Sequence, residues 1–570
     1  MPRHIAPILA PLILAAFSWA APARAEDPGA YLAARVAGVN GDFREAGHWF
    51  RQALAADPEN ISFMEGAIVA LICAGNIPPA LEISRSLDAA GGEAQPMAMA
   101  LIADQTKRGD FSGLLNDLRA GRSAGKLTDG LLLGWAELGS GQISEALEEF
   151  DKVIATRGLE IFGQYHKALA LGSIGNFEAA EKILSGDGQQ PVHAMRRGTL
   201  AHIQILSQLE RNDDALEVLR DAFPNETDPT ITTMIERLEN GEMLEFDAAR
   251  NATEGVAEVY FTLGVALNGE ADESLILLYS RLASWLRPDH SDAMLLTAGM
   301  LENRDQFDLA TEAYGTIAKD SDAWIPAQTG LARTLNKAEK ADEAVQVLTN
   351  LAGSYPKVLA VHLSLGDTLR QSERWAEATG AYDAAIGLLK DPVPEPYWTV
   401  YYSRAITLER QKIWDRAEED FRKALEMNPG QPQVLNYLGY SLLERRDRIE
   451  EAMTMIERAV AASPDSGYIV DSLAWGKFLL GQYDEAVEPM ERASLLEPVD
   501  PIVTDHLGDI YWAVGRKMEA RFQWRRALSF EPEEKDAVRI RRKLEIGLDA
   551  VLTEEDAPPL NSADDNQPRN

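Results

Sequence analysis

The chain has 570 residues, 46% of them hydrophobic, with 90 Asp and Glu against 55 Lys and Arg and a formal charge of −35. A charge so far below zero favours solubility and excludes non-specific binding to nucleic acid, and the one cysteine excludes an intrachain disulfide or a thiolate metal cluster. At this length a compact protein would divide into several domains, whereas a stacked array grows in one dimension.

At the N-terminus, Arg3 and His4 precede an apolar run from Ile5 to Ala21, and Ala23-Arg24-Ala25 is a small-x-small cleavage site ahead of Glu26. Residues 1–25 are expected to be a secretory signal peptide, and in a bacterial setting the destination is the periplasm. The alternative is a membrane anchor formed by an uncleaved signal; Pro7 and Pro11, which shorten any continuous helix there, weigh against it. No other segment approaches the ~20 apolar residues that cross a bilayer, so no integral span is expected after processing.

Downstream, an alanine returns at a fixed step: Ala46, Ala80, Ala146, Ala180 and Ala215, then Ala310, Ala344, Ala378, Ala417, Ala452, Ala486 and Ala520. The second series has steps of 34, 34, 39, 35, 34 and 34, the length of two short helices and two turns. The 66 residues between Ala80 and Ala146 fit one decayed unit with Gly113 in the alanine slot. Tyr260, Leu263, Gly264, Leu267, Ala283 and Pro288 supply another unit, which leaves 223–256 as an irregular helical connector. Cys73, among Ile68, Val69, Leu71 and Ile72, reads as a buried structural thiol. The 39-residue step holds Pro392, Pro394 and Pro396, an extended loop, and the 35-residue step lengthens the turn at Arg446–Arg448 by one.

A bulky residue follows the alanine by four (Tyr382, Phe421, Trp524), a small one by seven (Ala385, Ala424, Ala527), and a proline closes many units (Pro429, Pro464, Pro532). Leu507, Gly508, Tyr511, Ala520, Trp524, Ala527 and Pro532 carry the pattern almost throughout. It resembles the tetratricopeptide repeat. The resemblance implies an all-α, right-handed superhelical solenoid of about fourteen hairpins. The expected layout is a degenerate array over 26–222, the connector, a second array over 257–532, a capping helix over 533–552 and a disordered acidic tail over 553–570. The stretch from Asn436 to Trp524 also resembles a C-terminal module of exported bacterial members of the family.

In that family the first helix of each hairpin lines a groove through the second, fifth, ninth and twelfth positions of the unit. Carried onto this chain, the resemblance nominates Tyr402, Asn436, Asp471 and Asp505 at the fifth position, Tyr440, Trp475 and Asp509 at the ninth, and Phe478 and Trp512 at the twelfth. Aromatic rings beside carboxylates suit a partner segment carrying Lys or Arg among apolar residues; the competing reading packs the rings into the fold or under a C-terminal cap. Of the clamp that other members use on chaperone tails, Asn436 alone remains.

Residues 516–543 reverse the charge, with ten basic against five acidic side chains, and read as a solvated last helix or as a docking patch for an anionic surface. There is no phosphate-binding Gly-Lys-Ser/Thr loop and no pair of histidines one helical turn apart. No enzyme activity and no cofactor are expected. The function expected is a periplasmic scaffold or adaptor that holds a peptide segment or helix of another protein during assembly of an envelope complex. The alternative is a regulatory docking subunit of an envelope enzyme, a cell-wall synthase or a protease.

Overall fold

The computed structural model describes residues 28–186, 196–223 and 229–560; the expected signal peptide and the last ten residues of the expected tail lie outside the described residues. All regular structure among the described residues is helical, 31 α-helices and one 3-10 turn at Glu395–Tyr397.

The first six helix pairs are α1 (Pro28–Val39) and α2 (Phe43–Ala56), α3 (Ile61–Cys73) and α4 (Ile77–Ala89), α5 (Gln95–Lys107) and α6 (Phe111–Arg119), α7 (Asp129–Gly139) and α8 (Ile143–Ile154), α9 (Glu160–Ser173) and α10 (Phe177–Leu184), α11 (Arg196–Gln208) and α12 (Asn212–Ala222). The connector contains α13 (Pro229–Glu239). Eight pairs follow: α14 (Ala252–Ala266) and α15 (Glu273–Leu286), α16 (Ser291–Asn303) and α17 (Phe307–Gly315), α18 (Trp324–Lys337) and α19 (Ala341–Ser354), α20 (Leu359–Gln371) and α21 (Trp375–Leu388), α22 (Trp398–Arg410) and α23 (Trp414–Met427), α24 (Pro432–Glu444) and α25 (Ile449–Ala462), α26 (Gly467–Leu479) and α27 (Tyr483–Leu496), α28 (Pro501–Ala513) and α29 (Lys517–Leu528). The end is formed by α30 (Glu534–Ile546) and α31 (Leu548–Glu554). The chain divides into two compact units, residues 1–351 and 352–570, so the connector lies inside the first.

Local chemistry starts and stops these helices. Asp42, Asn60, Asp110 and Asn176 accept the backbone N–H three residues on, and Asp500 accepts two such groups ahead of Pro501, satisfying donors a helix start leaves open. The turn inside each hairpin needs one left-handed residue. Gly515 supplies it at φ 82°, while Lys412 occupies the equivalent place at φ 63°. The one-residue insertion is absorbed by two left-handed residues, Arg446 and Arg448.

The returning alanine marks the point where the two helices of a hairpin touch. Every member of both alanine series, from Ala46 to Ala520, is 0% exposed. The decayed third unit corrects the assignment of Gly113: α6 begins after Asp110, so the inward position is Leu114, 0% exposed, while Gly113 donates its N–H to the Asp110 cap. Glycine at the eighth position makes room for the large ring at the twenty-fourth; a Cβ on Gly508 would lie 2.4 Å from Trp524. Ala486→Leu is therefore expected to overpack the α26–α27 contact and cost about 1–3 kcal/mol, whereas Glu488→Ala on the exposed face of α27 costs under about 0.5 kcal/mol. Denaturant melts of the two variants decide this, and equal small losses would place the repeat phase wrongly.

In the first unit, the face built by the first helices is filled from within. Helix α14 packs on α5, α7 and α9, and α15 on α3 and α5. Trp135 lies so close to Gly255 that a Cβ there would come within 2.2 Å of its ring. Tyr260 donates to the Met99 carbonyl at 2.9 Å, and Lys107 reaches the Trp285 carbonyl. Cys73 is fully buried, with its Sγ 3.6 Å from the Ser274 carbonyl, and burial pushes its thiol up to about 12.

Candidate functional site

In the second unit the nominated strip splits in two. Tyr402, Asn436, Tyr440 and Trp475 are half-buried on α22, α24 and α26 and keep part of their surface in solvent. Tyr402 lies 6.1 Å from Tyr437 and from Trp398, ring centre to ring centre, so aromatic surface continues between the first helices. The Asn436 Oδ1 is buried and has no hydrogen-bond partner, an acceptor facing no donor of the chain's own. Trp475 is sandwiched, with Phe478 stacked at 4.6 Å and His506 at 3.9 Å.

The remaining positions are closed, which corrects the expectation of an open strip at Asp471, Phe478, Asp505, Asp509 and Trp512. All five are buried, with 1–8% exposure. For Asp505, Asp509 and Trp512 the cause lies in the chain's end. Helix α30 inserts Lys543, 0% exposed, whose Nζ donates to both Asp505 oxygens at 2.6 Å and to Asp509 Oδ1 at 2.7 Å. The Trp524 indole donates to the same Asp509 oxygen at 2.8 Å, and Arg539 stands 3.5 Å from the other. Trp512 is covered by the α30–α31 corner, where Gly547 abuts its ring, and its indole donates to Asp549 at 2.7 Å. Burial, with Asp509 alongside, raises the Asp505 carboxyl to about 6 against the pull of Lys543. Asp471 accepts from His506 at 2.9 Å; burial works against protonation of that ring, and the Asp471 carboxylate outweighs it and raises its pKa. The expected tail begins as structure: α31 runs to Glu554, and Leu560 packs against this last core.

The first unit shows what the groove positions of this fold can hold. After α13, residues 242–247 run without helix or turn and point alternate side chains inward, Leu244 and Ala248 buried and Phe246 half-buried, as an extended strand would. Gln204 and Ser207, the ninth and twelfth positions of the sixth unit, face this segment. Gln204 donates to Asp247 Oδ1 and accepts the Asp247 N–H, and Ser207 Oγ accepts the Leu244 N–H at 2.9 Å. Gln208 donates to the Leu244 carbonyl, Asn212 to the Glu242 carbonyl, and Arg287 to the Ala248 carbonyl. Phe246 fills the space above Gly172, the twelfth position of the fifth unit, and meets Phe177 at 6.0 Å.

Beside it lies a buried polar network. Glu258, 0% exposed, takes Arg197, His290 and the Tyr165 hydroxyl. Burial alone would raise its carboxyl; the Arg197 guanidinium and His290 override that and hold it far below the usual range. His166 Nδ1 accepts the Trp135 indole N–H at 3.1 Å and its Nε2 lies 3.2 Å from Thr262, whose hydroxyl donates to the Glu258 carbonyl. The imidazole is thus neutral with the proton on Nε2, and burial lowers it to about 4.

Sequence reasoning missed the burial of Lys543, the Glu258 network and the segment at 242–248. The last had a signal, since Leu244-Glu245-Phe246-Asp247-Ala248 alternates apolar with acidic residues at the period of a half-buried strand. Among the described residues no group of three or more His, Cys, Asp or Glu is placed to hold a metal ion, and no helix is long and apolar enough to cross a membrane.

Residues 304–470 match the family of the pre-mRNA-splicing factor Syf1/CRNKL1 C-terminal HAT repeat. A TPR repeat-containing protein of Pseudomonas aeruginosa is 27% identical over 201 residues, 35% of this chain and 33% of that protein. The E3 ubiquitin-protein ligase CHIP of Arabidopsis thaliana is 28% identical over 123 residues, 21% of this chain and 42% of the ligase. The chain thus spans a third to two-fifths of the length of these relatives. Among solved structures, the APC/C hetero-tetramer Cut9-Hcn1 is similar over 91% of this chain and 96% of that one, at 13% identity and a TM-score of 0.38. The 34-residue phase, the buried alanine contact of each hairpin and the repeat-containing relatives agree: the chain is an all-helical array of the tetratricopeptide-repeat type.

Proposed function

We propose that this protein is a non-catalytic periplasmic scaffold that holds an extended segment of a partner protein against the first helices α22, α24 and α26 during assembly of an envelope complex. The observation that supports it most is the segment at 242–248, which the first unit holds through side chains at its own groove positions, backbone to amide and aromatic ring to glycine gap. In the second unit the groove positions Tyr402, Asn436, Tyr440 and Trp475 keep exposed surface. Export rests on the Ile5–Ala21 apolar run and the Ala23-Arg24-Ala25 site.

A photo-crosslinking residue at position 440 in living cells tests the surface, with one at the outward position 488 as control. Position 440 is expected to give a discrete adduct and position 488 none; adducts from 488 alone would move the partner to the outer face. In the same cells the protein is expected in the soluble periplasmic fraction with Glu26 at its N-terminus, and an intact Met1 in the membrane pellet would show an anchor.

A further inference from the structure

We infer that the outward face of α29 is a docking surface for an anionic phospholipid membrane. The last hairpin departs from its predecessors at the same outward positions. Where α25 carries Glu450, Thr454 and Glu457 and α27 carries Asp484, Glu488 and Glu491, α29 carries Met518, Phe522 and Arg525. Met518 is 87% exposed and Phe522 63%, one helical turn apart on one face.

Charge complementarity decides the occupant. Helix α29 holds Lys517, Arg521, Arg525 and Arg526 against Glu519 alone, a net of +3 in a chain of −35. Glu519 is engaged by Arg516 at 2.6 Å. Among the described residues none of the four cations is neutralised by a carboxylate. Lys517 lies over the Trp512 ring, Arg521 donates to the Leu544 carbonyl, Arg526 donates to the Pro498 carbonyl, and Arg525 is exposed. These contacts leave the positive charge available and hold three of the four long side chains in place. Apolar side chains that stand this far clear of the surface enter a fluid interface without any matching shape, whereas a folded partner would need pockets to receive them. The surrounding cations would bind lipid phosphates, and the rest of the strongly acidic chain would be repelled from the bilayer, so contact is confined to this end. The surface is independent of the groove proposed above, which lies on first helices.

Flotation of the full chain with vesicles tests it, using phosphatidylcholine alone and phosphatidylcholine with phosphatidylglycerol. The chain is expected to float with the anionic vesicles at low salt, to lose most of that binding at high salt, and to bind about tenfold less as Met518→Glu with Phe522→Glu or as Lys517→Glu with Arg525→Glu. Because these side chains are exposed, both double variants should melt with the parent. The apolar run at 5–21 is common to every variant and cannot produce the difference. Equal flotation with neutral vesicles, or anionic binding unchanged in both variants, would overturn the proposal; so would retention of soluble poly-glutamate by this face without vesicle binding, which would make the occupant an acidic protein segment.

Discussion

Lys543→Met is expected to destabilise the second unit by about 3–5 kcal/mol at neutral pH, because it strands two buried carboxylates and removes little else. The ammonium is fully buried and serves both Asp505 and Asp509. Without it, the carboxylates face each other and the Trp524 indole, with Arg539 3.5 Å from Asp509 as the remaining cation. The loss should shrink as the pH falls below about 6, since protons then take over part of the work of the lysine; Asp505 is already raised to that value in the parent. Adding Asp505→Leu to the lysine variant should restore part of the stability, because it removes a stranded charge. Urea melts at pH 7 and pH 5 provide the measurement. A loss below about 1 kcal/mol would mean that α30 is not held by this contact and that the carboxylates are open after all.

The repeat architecture was legible because packing enforces it at a fixed period: Ala486 or Ala520 can be no larger where two helices touch, and Gly508 exists to admit Trp524. Register blurred where the slot was filled by another apolar residue, as at Leu114, which a search for small residues passes over in favour of Gly113. The groove positions were legible as positions, but their exposure was not. Trp512 and Asp509 are groove-facing in register and buried in fact, because Lys543 and Asp549 come from a cap beyond the last repeat, whose docking no periodicity announces. Likewise, the Glu258 network joins residues as far apart as Tyr165 and His290 through the return of α14 into the first unit. A repeating sequence specifies contacts between neighbours well; it specifies contacts that skip several units poorly, and the polar chemistry of this chain lies mostly in those.

The two units are expected to respond to acid in opposite directions. In the first, His166 must stay neutral to accept the Trp135 indole N–H, and burial lowers it from 6.5 to about 4. A base with a depressed folded pKa binds fewer protons folded than unfolded. Its contribution is therefore complete above pH 6.5 and is lost as the pH falls toward about 4, on the order of 3 kcal/mol in all. His290 shifts in the same direction, first through burial and then through Arg197, while Glu258, held low by Arg197 and His290, adds a further loss only below its ordinary range near 4.5. In the second unit Asp505 is raised from 3.8 to about 6 and His506 is raised above 6.5, so both bind more protons folded than unfolded. Their contribution is present at low pH and is lost as the pH rises through those folded values. Hydrogen exchange read peptide by peptide at pH 7 and pH 5, corrected for the intrinsic rate, should show protection falling in α7, α9 and α14 on acidification while α28 and α30 hold or gain. His166→Gln should lower the stability of the first unit but flatten its slope between pH 6.5 and about 4, since an amide can accept the indole hydrogen bond and does not titrate. Parallel loss of protection in both units, with the slope unchanged by the glutamine, would refute the assignment of the neutral histidine.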